Sequence, residues 1–199
     1  MTVHEFAHAW SAFRLGDDTA KRMGRLTLNP IAHIDIIGTI VLPVILTIHG
    51  GGFFFGWAKP VPVNPTRFRR GITMRTGDIL TAVAGPASNI IMAVITSGVI
   101  IGALRFGLLG GDNPGLIFLS RMFDINIALA VFNILPVPPL DGHYLLPEGI
   151  KARMRQYQMV FFVGLVLLIN VASDILSVPI MFIRELLIVF WSFIFGGGM

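Results

Sequence analysis

Residues 77–104 read GDILTAVAGPASNIIMAVITSGVIIGAL, the longest apolar stretch of the chain. As one helix it would extend about 42 Å, more than the roughly 30 Å hydrocarbon thickness of a bilayer. Its only charge is Asp78, close to its start. Within it, Ala84-Gly85-Pro86-Ala87-Ser88-Asn89 is rich in small side chains, which allow another helix to approach closely. The whole chain agrees with this reading: of 199 residues 54% are hydrophobic and only 13% charged, with a mean hydropathy of +0.78. A soluble domain carries about 25% charged residues. Half that share, together with runs of this kind, indicates an integral membrane protein.

Further apolar spans follow at 116–135, 159–176 and 178–195, and a shorter one precedes at 34–48, interrupted by Asp35, Gly38 and Pro43. The expected fold is therefore an α-helical polytopic membrane protein with about five apolar segments. Short extended or re-entrant elements are expected beside them. Residues 24–30, GRLTLNP, read as a short strand closed by a turn, and 59–63, KPVPV, as a second, its prolines suiting an edge. The aromatic residues of 53–57 favour a membrane interface.

A net charge of +4 and a pI near 10 would suggest nucleic acid in a soluble protein. Here twelve of the fifteen basic residues fall into three short connecting stretches, Arg14 to Arg25, Lys59 to Arg75 and Lys151 to Arg155, the pattern of membrane topology. The positive-inside rule places all three on the cytoplasmic side. Two crossings separate the last two groups, which fits. Only 34–48 separates the first two, so this stretch and 59–63 are expected to dip in and return as a partly re-entrant hairpin, buried in protein or lining a wet cavity.

Near the start stands His4-Glu5-Phe6-Ala7-His8. Residues four apart share one helix face, so both imidazoles can address one metal ion, with Glu5 near enough to polarise a water. Two imidazoles do not complete a zinc site, and the chain has no cysteine, so further ligands must be histidine or carboxylate. The helix carrying the motif ends near Leu15, stopped by Gly16-Asp17-Asp18. Some 13 residues span about 20 Å, short of a bilayer, and no charged leader with a cleavage site is present. The expectation is that the natural protein continues upstream and that this chain begins inside a transmembrane helix.

Asp141 is the candidate third ligand. It follows an apolar helix in a break bracketed by Pro136, Pro138 and Pro139, with Gly142 after it to turn the backbone. An acid at membrane depth is costly and marks function, pairing or metal binding; the alternative is an N-cap for the next helix. Other polar residues have plainer readings. His33 reads as a turn or interface residue, and His143 as a turn residue beside the candidate ligand and not a ligand itself, because adjacent side chains on a turn rarely reach one ion. Arg184 and Glu185 lie inside the last apolar segment, facing a polar pocket or making that segment an interfacial amphipathic helix.

His4-Glu5-x-x-His8 and Asn133-x-x-Pro136-x-Pro138-x-Leu140-Asp141-Gly142 together resemble the site-2 protease family of intramembrane zinc metalloproteases, in its compact form without a PDZ domain. Leu28-Asn29-Pro30, Gly56-Trp57-Ala58-Lys59-Pro60 and Ala84-Gly85-Pro86-x-x-Asn89 extend the resemblance over most of residues 1–145. His143 departs from it, standing where the family usually has a small residue. The resemblance implies Zn2+ held by His4, His8 and Asp141, Glu5 as catalytic base, and Asn133 orienting or polarising the substrate. It implies membrane-protein substrates with a transmembrane segment, and a prokaryotic inner membrane with the basic loops cytoplasmic. Residues 1–145 would form the protease core and 146–199 C-terminal transmembrane helices. The competing functions are a multi-pass transporter and an inactive membrane scaffold. A transporter expects polar residues along a path, which the last two spans hardly provide; a scaffold expects an eroded motif, whereas both halves are intact.

Overall fold

A computed structural model describes residues 1–48, 56–110, 113–157, 160–161, 164 and 173–196. The chain divides into two compact units, Met1–Gly85 and Pro86–Met199.

The first unit is built on α1, Thr2–Leu15. Its buried residues, His4, Glu5, His8, Ala9 and Ala12, form one stripe at helical spacing, while Trp10 is half exposed. The polar motif thus faces inward and an aromatic ring faces out, the reverse of a helix in water. Gly16 ends α1 in the left-handed region at φ 112°, accepting no side chain there without strain. A Cβ at Gly16 would also lie 2.8 Å from Arg69 Cγ, because the Arg69 amide donates to the Leu15 carbonyl at 2.8 Å.

Two acidic residues fasten the corner between α1 and the short helix α2, Thr19–Arg22. Asp17 is fully buried and wholly used: one oxygen accepts from the Thr19 amide and hydroxyl, the other from the Asn64 amide at 2.6 Å. Asp18 pairs with Arg22 at 2.7 Å and Arg67 at 2.5 Å. Desolvation pushes its carboxyl up, but the two guanidiniums outweigh that and hold it below the ordinary carboxylate range. Further on, Asp35 caps a π-helical turn, Ile36–Val41, that leads into α3, Leu42–Ile48. The Trp57 ring lies so close to Gly38 that a Cβ there would be 2.4 Å from it. The unit closes with the first turns of α4, which runs over Met74–Arg105 and so continues into the second unit.

In the second unit the rest of α4 joins α5, Pro114–Ile134, and α7, Ser173–Ile194, around Ala93, Ile100, Leu116, Phe123 and Ile127. Glycines on α4 admit the aromatic rings of α7. A Cβ at Gly98 would lie 2.8 Å from the Trp191 ring, whose indole N–H donates to the Val94 carbonyl at 3.0 Å. Between α5 and α7 lie a 3₁₀ turn, Asp141–Leu145, and the short helix α6, Glu148–Gln156.

Three helical segments are long and apolar enough to cross a membrane: Met74–Arg105, Pro114–Ile134 and Leu176–Ile194. The expectation of about five apolar segments reduces to these three among the described residues. The span expected at 159–176 and the aromatic run at 53–55 fall mostly or wholly outside them. The segment at 34–48 becomes the π-helical turn and the seven-residue α3. Neither expected strand forms. In 25–29 the chain bonds to itself: the Thr27 hydroxyl accepts from the Asn29 amide, the Asn29 side chain from the Ile31 amide, and the Thr27 carbonyl from His33 Nε2 at 2.8 Å. Such local bonds compete with a ladder. In 59–63, Pro60 and Pro62 have no N–H to give. That stretch is held instead by single bonds, from the Arg25 guanidinium to the Lys59 carbonyl and from the Lys59 amide to the His33 carbonyl.

Candidate metal centre

His4, Glu5 and His8 are each less than a tenth exposed on the inward face of α1. The imidazole rings are edge to face, with centroids 4.6 Å apart, and their Nε2 atoms are 3.0 Å apart. The His8 tautomer follows from its other nitrogen. Nδ1 lies 2.7 Å from the Thr81 carbonyl oxygen, which can only accept, so Nδ1 carries the proton. In the neutral ring the Nε2 lone pair is then left to face His4. A metal-ligating histidine fixed by donating its second nitrogen to a carbonyl has the usual form of such a ligand.

The partner of His8 is a main-chain group one helical turn from Gly85 on α4. A Cβ at Gly85 would lie 2.3 Å from His8 Nε2, 2.4 Å from His8 Cε1 and 2.6 Å from His4 Cε1. No atom fits there. Thr81 and Gly85, four residues apart on one helix face, thus support the pair together: one orients His8, and the other leaves room for both rings. The Ser11 hydroxyl donates to the Leu80 carbonyl at 3.3 Å, a second tie between α1 and the same turn of α4.

In the second unit, Leu135 closes α5 and the chain returns through the prolines to the turn that begins at Asp141. Gly142 is required for a reason other than the sharp turn expected: its φ is not positive. A Cβ would instead lie 2.1 Å from the Ile134 carbonyl oxygen, so the backbone doubles back onto the end of α5 where only glycine fits. Asn133, half-buried in the last turn of α5, donates its side-chain amide to the Leu129 carbonyl at 2.9 Å. On α1, His4 and His8 offer two ring nitrogens that one metal ion could share, and Asp141 opens the turn that follows α5.

Similarity to known proteins gives these residues their context. "Putative zinc metalloprotease YwhC" of Bacillus subtilis (strain 168) is 42% identical over 177 residues, which cover 85% of this chain and 76% of that protein. "Putative zinc metalloprotease Rip2" of Mycolicibacterium smegmatis is 32% identical over 202 residues, 99% of this chain and 71% of that one. The chain belongs to this family of zinc metalloproteases. The Rip2 of Mycobacterium tuberculosis (strain ATCC 25618 / H37Rv) is more distant, 29% identical over 177 residues, 84% of this chain and 63% of its own length. No family model matches the chain, and no solved structure matches it.

Zinc suits the donors of this metalloprotease. Two imidazole nitrogens bound at about 2.0–2.1 Å with tetrahedral angles stand about 3.3 Å apart, close to the separation of the His pair. Histidine and carboxylate are acceptable zinc ligands, and the chain has no thiol to compete. The remaining described histidines have other duties. His143 donates from Nδ1 to the Leu140 carbonyl at 2.6 Å and lies against the Tyr144 ring, while buried His33 bonds the Thr27 carbonyl. For His33 this matches the plain reading of the sequence. The Thr81 carbonyl was not foreseen, since residue type carries no record of which main-chain oxygen a ring will meet. Gly85 was noted only as part of a small-residue stretch open to another helix; its particular neighbours are the two imidazoles.

Proposed function

We propose that this metalloprotease is a zinc-dependent intramembrane endopeptidase of the site-2 protease type, hydrolysing peptide bonds in or near transmembrane segments of membrane proteins. The observation that carries the reading is the His4–His8 pair, inward-facing and fixed by a main-chain carbonyl, in a chain with three helical segments apolar enough to cross a bilayer. In this reading His4, His8 and Asp141 hold the metal, residues 1–145 form the core, 146–199 contribute C-terminal transmembrane helices, and the basic loops face the cytoplasm.

Bound zinc supplies Lewis acidity toward a water and the scissile carbonyl. Everything else falls to the chain. Glu5, one residue from His4 on the buried stripe, takes the proton of the attacking water and returns it to the leaving amine. His8, its Nδ1 proton held by Thr81, keeps its Nε2 lone pair directed at the site through the cycle. Asn133 uses one amide hydrogen on Leu129 and has a second with which to polarise or orient the substrate carbonyl. Burial of His4, Glu5 and His8 keeps bulk water from them.

The test uses purified, zinc-loaded protein in a lipid bilayer and a peptide containing a transmembrane segment. Wild type cleaves and Glu5→Gln does not; equal behaviour of the two ends the protease reading. Asp141→Ala lowers zinc stoichiometry, and unchanged stoichiometry removes Asp141 from the ligand set.

A further inference from the structure

The middle of the second unit carries charges that the proteolytic reading leaves unused. Asp124 is the central residue of α5, Pro114–Ile134, and Glu185 the central residue of the span Leu176–Ile194 on α7. Arg184 joins them, with Nε 3.2 Å from Asp124 Oδ1 and Nη1 3.7 Å from Glu185 Oε1. Arg121, one turn before Asp124, is exposed as well. If α5 and α7 cross the bilayer, two acids and two bases stand at its midplane, and they are far from enclosed: the side chains of Arg184, Asp124 and Glu185 are 45%, 43% and 63% exposed.

Lipid is a poor neighbour for them, since charged groups at that depth are found against protein or a water-filled cavity. A cavity does not suit the surroundings. On α7 the residues at helical spacing around Glu185 are Val178, Phe182, Val189 and Phe193, all more than 60% exposed, and between 178 and 191 the helix has no polar side chain besides Arg184 and Glu185. An interfacial position does not suit α7 either, because its other face, Ile180, Ile183 and Leu187, is apolar too and packs on the core. What fits is an apolar transmembrane surface that brings an acid and a base to the same depth.

We propose that the outward face of α7, centred on Glu185 and Arg184, is an interface between two copies of this chain in the membrane. Copies in one bilayer share an orientation, so a twofold axis along the membrane normal sets Glu185 of one copy level with Arg184 of the other, twice over. The cluster is balanced in charge and therefore complementary to itself. An ordinary transmembrane helix has no such pair at its centre, whereas a second copy has it at the required depth by construction. Phe182 and Val189, one turn to either side, supply the apolar contact around the pair. The inference rests on α5 and α7 crossing the bilayer and not on proteolysis.

The absence of cysteine makes the test direct. Single cysteines replace Phe182, Val189 or, as a control on another exposed surface, Ile91 of α4, in the full chain embedded in lipid bilayers, and oxidation is followed by gel electrophoresis. Disulfide-linked dimers form through positions 182 and 189 and not through 91. Adding Glu185→Leu, which keeps the surface apolar, weakens dimer formation about tenfold. Equal cross-linking at all three positions, no cross-linking at 182 and 189, capture of a different membrane protein in place of a second copy, or an unaffected Glu185→Leu dimer each overturns the proposal. Peptide cleavage enters none of these readouts, so failure here is separate from failure of the protease reading.

Discussion

Glu5→Gln keeps the size and hydrogen-bonding shape of the side chain and removes the base, so binding and chemistry come apart. Zinc stoichiometry should be unchanged while cleavage of a transmembrane peptide falls by about 10²–10⁴-fold, the usual worth of a positioned general base. Gly85→Ala tests the support beneath the imidazoles. A methyl group 2.3 Å from His8 Nε2 forces the rings or α4 to shift, and zinc affinity should drop about 10–100-fold, as for a lost outer-shell partner. Competition against a chromogenic chelator measures it. Gly98→Ala, which meets Trp191 instead, should lower the melting temperature and leave zinc affinity alone. At this scale the sequence showed the imidazole pair and hid its support. The spacing of His4 and His8 names a helix face, but the carbonyl that orients His8 belongs to the path of α4 and not to the side chain at 81.

Elements were legible where one strong signal marked them. Helix α1 ends at Leu15, one residue before the glycine expected to stop it, and α4 and α5 lie within three residues of the expected bounds. Long apolarity and flanking glycine or proline account for that. The short strands failed because a strand depends on a partner, and 25–29 and 59–63 have side chains and prolines that satisfy or remove their backbone groups locally. The corner between α1 and α2 offers a test by pH. The Asp18 carboxyl titrates lower in the folded chain than in the unfolded one, so its ties to Arg22 and Arg67 stabilise fully above the ordinary carboxylate range. That contribution is lost as the pH falls through the lowered value. The melting-temperature difference between wild type and Asp18→Asn should therefore be full near pH 6 and shrink below about pH 4; a difference constant across that range would remove the ion pairs from the account.

For the whole molecule, a zinc ion bound by the folded chain and not by the unfolded one would act as a folding ligand as well as a reagent. Stripping zinc with a chelator should lower the melting temperature, and free zinc at about 100 times its dissociation constant should restore about 2.7 kcal/mol of stability, read from the fluorescence of Trp10, Trp57 and Trp191. No change on stripping would mean that the metal is bound equally well by the unfolded chain or not at all. The bond from His8 to the Thr81 carbonyl has a further consequence, in how the gene can vary. No substitution at position 81 deletes a main-chain oxygen, so point mutation there alters packing and spares the orienting bond. A single-residue insertion or deletion between Met74 and Thr81 is another matter. It rotates the two parts of α4 on either side of the change by about 100° relative to each other, carrying both the carbonyl and the bare Cα of Gly85 away from the imidazoles. The centre is intolerant of a shift in reading length in that stretch, so variants of this protein should keep the number of residues in the first turns of α4 even where their letters change, Gly77 excepted because the Phe68 ring fills the place of its side chain.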